Sequence, residues 1–140
     1  MTFTICSLNE LKAYKYVIIL TQYKGEWLLC RHKERRTWET PGGEIEENEK
    51  PIDAAKRKLR EETGAESFII KPIFDYLVAD DTAVSNVMVF YAEISVLGKL
   101  PDFEIEKISH FKELPIKLTY SEITPKLFEH YKKLKLLKKI

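Results

Sequence analysis

The stretch that decides the reading runs Gly43-Glu-Ile-Glu-Glu-Asn-Glu49-Lys-Pro51-Ile-Asp-Ala-Ala-Lys-Arg57-Lys58-Leu-Arg-Glu61-Glu62-Thr63-Gly64-Ala65. Pro51 suits the first helical position, because its φ is preset and it has no N–H to leave unpaired. Gly64 can close the helix in a left-handed turn. The spacing therefore predicts a helix over 51–63, with Asn48 to Lys50 as its cap region. Ile52, Ala55 and Leu59 recur at helical intervals and form its buried stripe. At about 100° per residue, Arg57, Glu61 and Glu62 fall beside that stripe. One face packs inward while its neighbour presents two adjacent carboxylates. Those carboxylates repel, and a cation between them relieves the repulsion. Hard oxygen ligands of this kind suit magnesium or manganese, which bind through a few carboxylates plus waters and substrate phosphates. Such a metal neutralises a diphosphate and activates water, so the implied chemistry is phosphoanhydride hydrolysis. For the helix taken alone, the plainer reading is a solvated Glu/Arg face stabilised by i,i+4 pairs.

Outward from this helix the chain alternates strands and breaks. Tyr14 to Gln22 is β-branched and aromatic, Lys24-Gly25 is a turn signal, and Glu26 to Arg31 reads as the returning strand of a hairpin. His32 to Thr37 is a charged loop, Trp38-Glu39-Thr40 a short segment, and Pro41-Gly42-Gly43 a break. Strand formers dominate Ser67 to Ala79 and Asn86 to Val96, with Pro72 marking an edge or bulge. A loop over Leu97 to Asp102 precedes a short strand, Ile105 to Phe111. A last helix begins near Thr124 as cap with Pro125 at its first position. Its apolar face is Leu127, Phe128, Tyr131, Leu134 and Leu137. The pattern is mixed α/β in a single domain spanning 1–140.

Composition narrows the classes of function. A net charge of +1 supplies no global attraction to nucleic acid or to a membrane surface. The lysines at 132, 133, 135, 138 and 139 read as the solvated face of the closing helix. Only two cysteines occur, Cys6 and Cys30, in no metal-ligand spacing; buried reduced thiols are expected. The first residues lack the pattern of a secretion signal, and the longest apolar run, Val17 to Leu20, is too short to span a bilayer. The expectation is a cytoplasmic protein, monomer or homodimer, acting on a small-molecule nucleotide.

The 43–65 stretch resembles the Nudix box: glycine, five residues, glutamate, seven residues, then Arg-Glu-aliphatic-x-Glu-Glu-x-Gly-aliphatic. Six positions that demand one particular residue match, at Gly43, Glu49, Arg57, Glu61, Glu62 and Gly64. From residue frequencies, chance agreement is on the order of one in 10⁵. The resemblance implies an α/β/α sandwich with a mixed central sheet. It implies metal ligation by Glu61, Glu62 and the carbonyl of Gly43, and a Glu49–Arg57 pair that orients loop and helix. Within the family the segments from Glu26 to Lys33, Thr37 to Glu39, and Phe103-Glu104 to Pro115 are similar to the MutT branch. That branch hydrolyses nucleoside triphosphates, oxidised purine nucleotides among them. By this analogy Arg31 is a phosphate contact and Trp38 a surface for a base to stack on; an exposed loop charge and a packed core tryptophan are the plainer readings.

One position departs from the box. Lys58 stands where the family has a glutamate that ligates metal or activates water. Three outcomes are compatible with a lysine there: slower catalysis with fewer metals and a base from elsewhere, a neutral Lys58 acting as base, or nucleotide binding without turnover. Glu104 and Glu106 are the replacement acids that the family pattern suggests. The same chemistry on RNA 5′ ends or dinucleoside polyphosphates is an alternative substrate reading.

Overall fold

A computed structural model describes residues 1–102 and 104–140; Phe103, which contributes to the MutT-like similarity, lies outside the described residues. Among the described residues, eight strands and two helices follow in the order β1 (Thr2–Cys6), β2 (Tyr16–Tyr23), β3 (Glu26–His32), β4 (Trp38–Glu39), β5 (Gly42–Glu44), α1 (Pro51–Thr63), β6 (Ala65–Ala79), β7 (Val84–Leu97), β8 (Ile105–Phe111) and α2 (Thr124–Leu136). All strands join one sheet in the order β1-β6-β7-β2-β3-β4, with β5 on β2 and β8 on β3. The β2–β7 pair is parallel and the other strand pairs are antiparallel, which makes the sheet mixed.

Alternation along the central strands sends side chains to two separate cores, as the period of two requires. Val17, Ile19, Leu28, Met88, Phe90 and Ala92 meet Ala54, Ala55 and Leu59 of α1 on one face. Leu20, Trp27, Leu29, Val87, Val89 and Tyr91 meet Leu127, Phe128 and Tyr131 of α2 on the other. The architecture is an α/β/α sandwich. On the α2 side Trp27 sits edge-on to both Phe128 and Tyr131, at 4.7 and 5.4 Å between centroids, so aromatic packing seats that helix.

Helix α1 spans the residues anticipated. Gly64 closes it at φ 82°, its N–H donating to the Arg60 carbonyl at 3.0 Å. A side chain there would run into the Lys99 carbonyl oxygen at 2.6 Å, so the position requires glycine on both counts. Pro72 falls at a register shift in the β6–β7 ladder, as a residue without an N–H should. Strand β1 is an addition to the sequence reading; five residues that alternate exposed Thr2 and Thr4 with half-buried Phe3 and Ile5 carry little core signature. The closing helix differs at both ends. Thr124 is its first residue and not its cap, because the turn at Tyr120 to Ile123 already runs into it: the N–H of Thr124 reaches the Tyr120 carbonyl at 2.9 Å. Leu137 lies past the last turn and is exposed, so it leaves the apolar face to Leu127, Phe128, Tyr131 and Leu134.

What positions the site is a splay in the β2–β3 hairpin. The two strands pair only near their turn, from Thr21↔Leu28 to Tyr23↔Glu26. Lys24 and Gly25 take positive φ there (52° and 79°), which matches the twist of a tight hairpin. Farther along they part: β5 takes the free edge of β2 (Ile18↔Gly42) and β4 takes that of β3 (Cys30↔Glu39). The Thr40–Pro41 link crosses the gap, pinned by the Ile19 N–H on the Pro41 carbonyl at 2.9 Å.

Candidate active site

The loop between β5 and α1 is held by one residue of the helix. Arg57 forks onto Glu49, Nε to Oε2 and an Nη to Oε1 both at 2.9 Å, and donates to the Glu44 carbonyl at 3.1 Å. It also lies 3.4 Å from Glu46 and 3.5 Å from Glu61. A planar guanidinium with five donors suits this fan of contacts, and an ammonium does not. The Arg57 hydrogen bonds hold the Glu49 carboxyl down at about 2. The Glu49–Arg57 pairing expected from the box is present.

Glu61 and Glu62 leave the helix on the same edge in unlike settings. Glu61 is partly exposed and faces Arg57 and Lys58. Glu62 turns toward the splay, where its Oε1 accepts the Gly42 N–H at 2.8 Å. Burial pushes its carboxyl up to about 7; the nearby charges of Glu39 and Glu61 push the same way, against the Gly42 N–H and Lys58. Lys58 reaches across this edge. Its Nζ is 3.7 Å from Glu61 Oε2, and its side chain lies over Gly43. A Cβ on Gly43 would stand 2.5 Å from Lys58 Cε and 3.1 Å from Nζ, so the lysine occupies the space the glycine leaves open.

These residues can hold a divalent cation, within limits. Two hard carboxylates on adjacent helical residues, one withdrawn from solvent, suit magnesium or manganese with waters and phosphates completing the shell. Among the described residues no group of three or more His, Cys, Asp and Glu side chains forms a metal cage. The donor set fits a loosely caged ion that shares its coordination with substrate.

Sequence reasoning missed Glu39. It lies across from Cys30 on β4, close enough for its charge to bear on both Glu62 and the buried Cys30 thiol. Arg35 clasps its carboxylate at 3.0 and 3.2 Å. The signal available was the fixed link from Glu39 to Gly42-Gly43, which has meaning only once β4 and β5 are seen to flank the splay. A cavity of about 450 Å³ opens beside it, lined by Tyr16, Glu39, Gly43, Tyr76, Tyr120 and Leu127 among others. Gly42 and Gly43 belong to both places: they line the cavity, and Gly42 holds Glu62.

The remaining candidates lie elsewhere. Arg31 pairs with Glu106 at 2.6 Å and caps the Trp38 ring, 5.4 Å from its centroid. Trp38 packs edge-on to Phe111 at 5.1 Å, and neither Arg31 nor Trp38 lines the cavity. Glu104 faces His32 at 3.4 Å, and Lys33 faces Asp102 at 3.0 Å. Together with Arg31–Glu106 these pairs tie the end of β3 to the approach of β8. Both cysteines are buried free thiols, as expected.

Comparison with known proteins settles the ancestry. The family model described as NUDIX domain matches residues 12–133. The chain belongs to the Nudix family. This Nudix chain is 36% identical over 106 residues to YtkD of Bacillus subtilis (strain 168), by name a candidate 8-oxo-dGTP diphosphatase; the match covers 75% of this chain and 66% of that protein. It is 46% identical over 43 residues to the RNA pyrophosphohydrolase of Bartonella henselae, covering 29% of this chain and 25% of that one. Its fold superposes on the crystal structure of a point mutant of the Bacillus subtilis pyrophosphohydrolase BsRppH with a TM-score of 0.82 and 29% identity. That superposition covers 95% of this chain and 89% of the other. A C. elegans Ap4A hydrolase shares the fold at 19% identity and a TM-score of 0.65, over 86% and 98% of the two chains. No helix among the described residues is long and apolar enough to cross a membrane.

Proposed function

We propose that this Nudix chain is a magnesium- or manganese-dependent pyrophosphohydrolase that converts a nucleoside triphosphate to its monophosphate and pyrophosphate, with oxidised purine triphosphates of the 8-oxo-dGTP kind within its range. The observation that carries this reading is the meeting of the Glu61–Glu62 pair with Gly42-Gly43 at the edge of a cavity large enough for a nucleoside. Glu61, Glu62 and the Gly43 carbonyl hold the metal, while Glu49 and Arg57 keep the loop that carries Gly43 in register with the helix. When bound, the metal neutralises the diphosphate and lowers the pKa of the attacking water. The water oxygen bonds to the α or the β phosphorus, the bond from that phosphorus to the α–β bridging oxygen breaks, and monophosphate and pyrophosphate separate. Lys58, in its charged form, leaves the water's proton to a carboxylate. Glu39, which lines the cavity and whose charge bears on Glu62, is better placed to take it than Glu104, which lies away from the cavity beside His32. Tyr120, half exposed at the cavity, offers a face for the base.

A second reading keeps the chemistry and moves it to RNA 5′ ends. It is favoured by a local similarity, 46% identity over 43 and 46 residues, to proteins named RNA pyrophosphohydrolase. A nucleotide panel with magnesium or manganese, run beside a 5′-triphosphorylated RNA and analysed for products, tests both. Monophosphate plus pyrophosphate from a purine triphosphate is the expected result. Turnover confined to RNA selects the second reading. Tight nucleotide binding with no product from either would show a binding module that has lost turnover at Lys58.

A further inference from the structure

Two positive charges touch the Glu61–Glu62 edge among the described residues: Arg57, 3.5 Å from Glu61 but committed to Glu49 and the loop, and Lys58, which has no such commitment. Its stem fills the space over Gly43, its ammonium lies 3.7 Å from Glu61, and its charge acts on Glu62. Gly43, Glu61 and Glu62 are the same groups assigned above to the metal. We propose that Lys58 is a tethered cation: its ammonium occupies part of the divalent-ion position, neutralises the carboxylate pair in the metal-free protein, and limits the site to one weakly held ion that displaces the lysine on binding. This rests on the reading of 43–65 as a metal site and deepens it, by making metal loading a competition within the chain.

The physical case has two sides. Two adjacent carboxylates, one of them withdrawn from solvent, repel each other, and a monovalent charge on a flexible stem relieves that at any metal concentration. The same charge repels an incoming divalent ion and must be moved before the ion can reach Gly43. Lys58 has the freedom to move. Its ammonium has one ion-pair partner among the described residues, at 3.7 Å, and four flexible carbons behind it. A lysine in this position therefore exchanges metal dependence for stability without metal.

Manganese binding to the intact chain, measured by the EPR signal of free ion in the absence of nucleotide, tests this together with thermal melting. The parent should bind at most one ion, weakly. Lys58→Met should bind at least about tenfold more tightly, the order expected when a like charge a few ångströms away is removed. Lys58→Glu should bind tighter still or take a second ion, and both variants should melt lower than the parent without metal and gain more from manganese. Lys58→Arg keeps the charge and should stay as weak as the parent. Equal affinity and stoichiometry for the parent and Lys58→Met would overturn the proposal, as would a Lys58→Arg that binds like Lys58→Met. If Lys58→Met folds only when manganese is present, that result supports the tether. The proposed hydrolysis is scored apart: no product from any variant sinks the enzymatic reading and leaves the tether standing, while turnover with unchanged metal binding does the reverse.

Discussion

Arg57 and Lys58 are neighbours on α1 with the same charge, and the structure uses them in opposite ways. Arg57 turns toward the loop and is saturated, with two short bonds to Glu49, one to a backbone carbonyl and two further carboxylates within 3.5 Å. Lys58 turns toward the cavity edge and holds one loose pair over a glycine. The difference follows from side-chain chemistry. A guanidinium is a rigid fork that locks a geometry, whereas an ammonium is a point charge that can be drawn away. The loop side of the helix is therefore a brace, and the cavity side is where binding and chemistry can change its state.

The sharpest way to break this comparison is on the cavity side. Glu62→Gln should cut kcat/KM for the best nucleotide by about 100-fold or more, the scale seen when a metal site loses a supporting group, while the melting temperature stays near that of the parent. A variant that keeps full activity would remove Glu62 from the site. On the loop side the effect should fall on stability. Glu49→Gln exchanges a charge-assisted fork for a neutral contact and should cost about 1–3 kcal/mol in urea denaturation. An unchanged midpoint would show that the brace is dispensable.

Acid titration refines the same contrast. Glu49 sits at about 2 in the folded chain, held there by Arg57, against an ordinary 4.5. A depressed carboxyl stabilises the fold above its unfolded value and loses that contribution as pH falls through the folded one. The Glu49 contribution is therefore complete above about pH 4.5 and fades toward pH 2. Glu49→Gln should flatten that part of the acid stability curve, and a curve parallel to the parent's would assign the acid loss to other carboxyls. The smallest effect is expected away from α1. Tyr120→Ala should raise KM a few-fold, in line with about 1 kcal/mol for one partly exposed aromatic contact, with kcat and melting temperature little changed. An unaltered KM would place the base elsewhere in the cavity.

Much of the fold was legible because its signals are local. Helix α1, its glycine stop, the Lys24-Gly25 turn and the bulge at Pro72 depend on the conformational limits of single residues. The Glu49–Arg57 brace was legible through the resemblance to the Nudix box, which implies that pair. Strand β1 was not, because it is a short edge strand whose place is set by its pairing with β6. Nor were the roles of Arg31 and Trp38, whose surroundings come from β8, about 75 residues away along the chain for the Arg31–Glu106 pair.

By itself, then, the sequence determined the helix, the edge on which it carries its carboxylates, and the presence of a lysine among them, since periodicity and turn chemistry are properties of contiguous residues. Only the tertiary structure decided where that lysine points and which acid stands across from Glu62. Those depend on the splay of β2 from β3, which brings Glu39, Gly42 and Gly43 against α1 through pairings distributed over separate strands. A register between strands is a collective property of the sheet, and no window of the chain contains it.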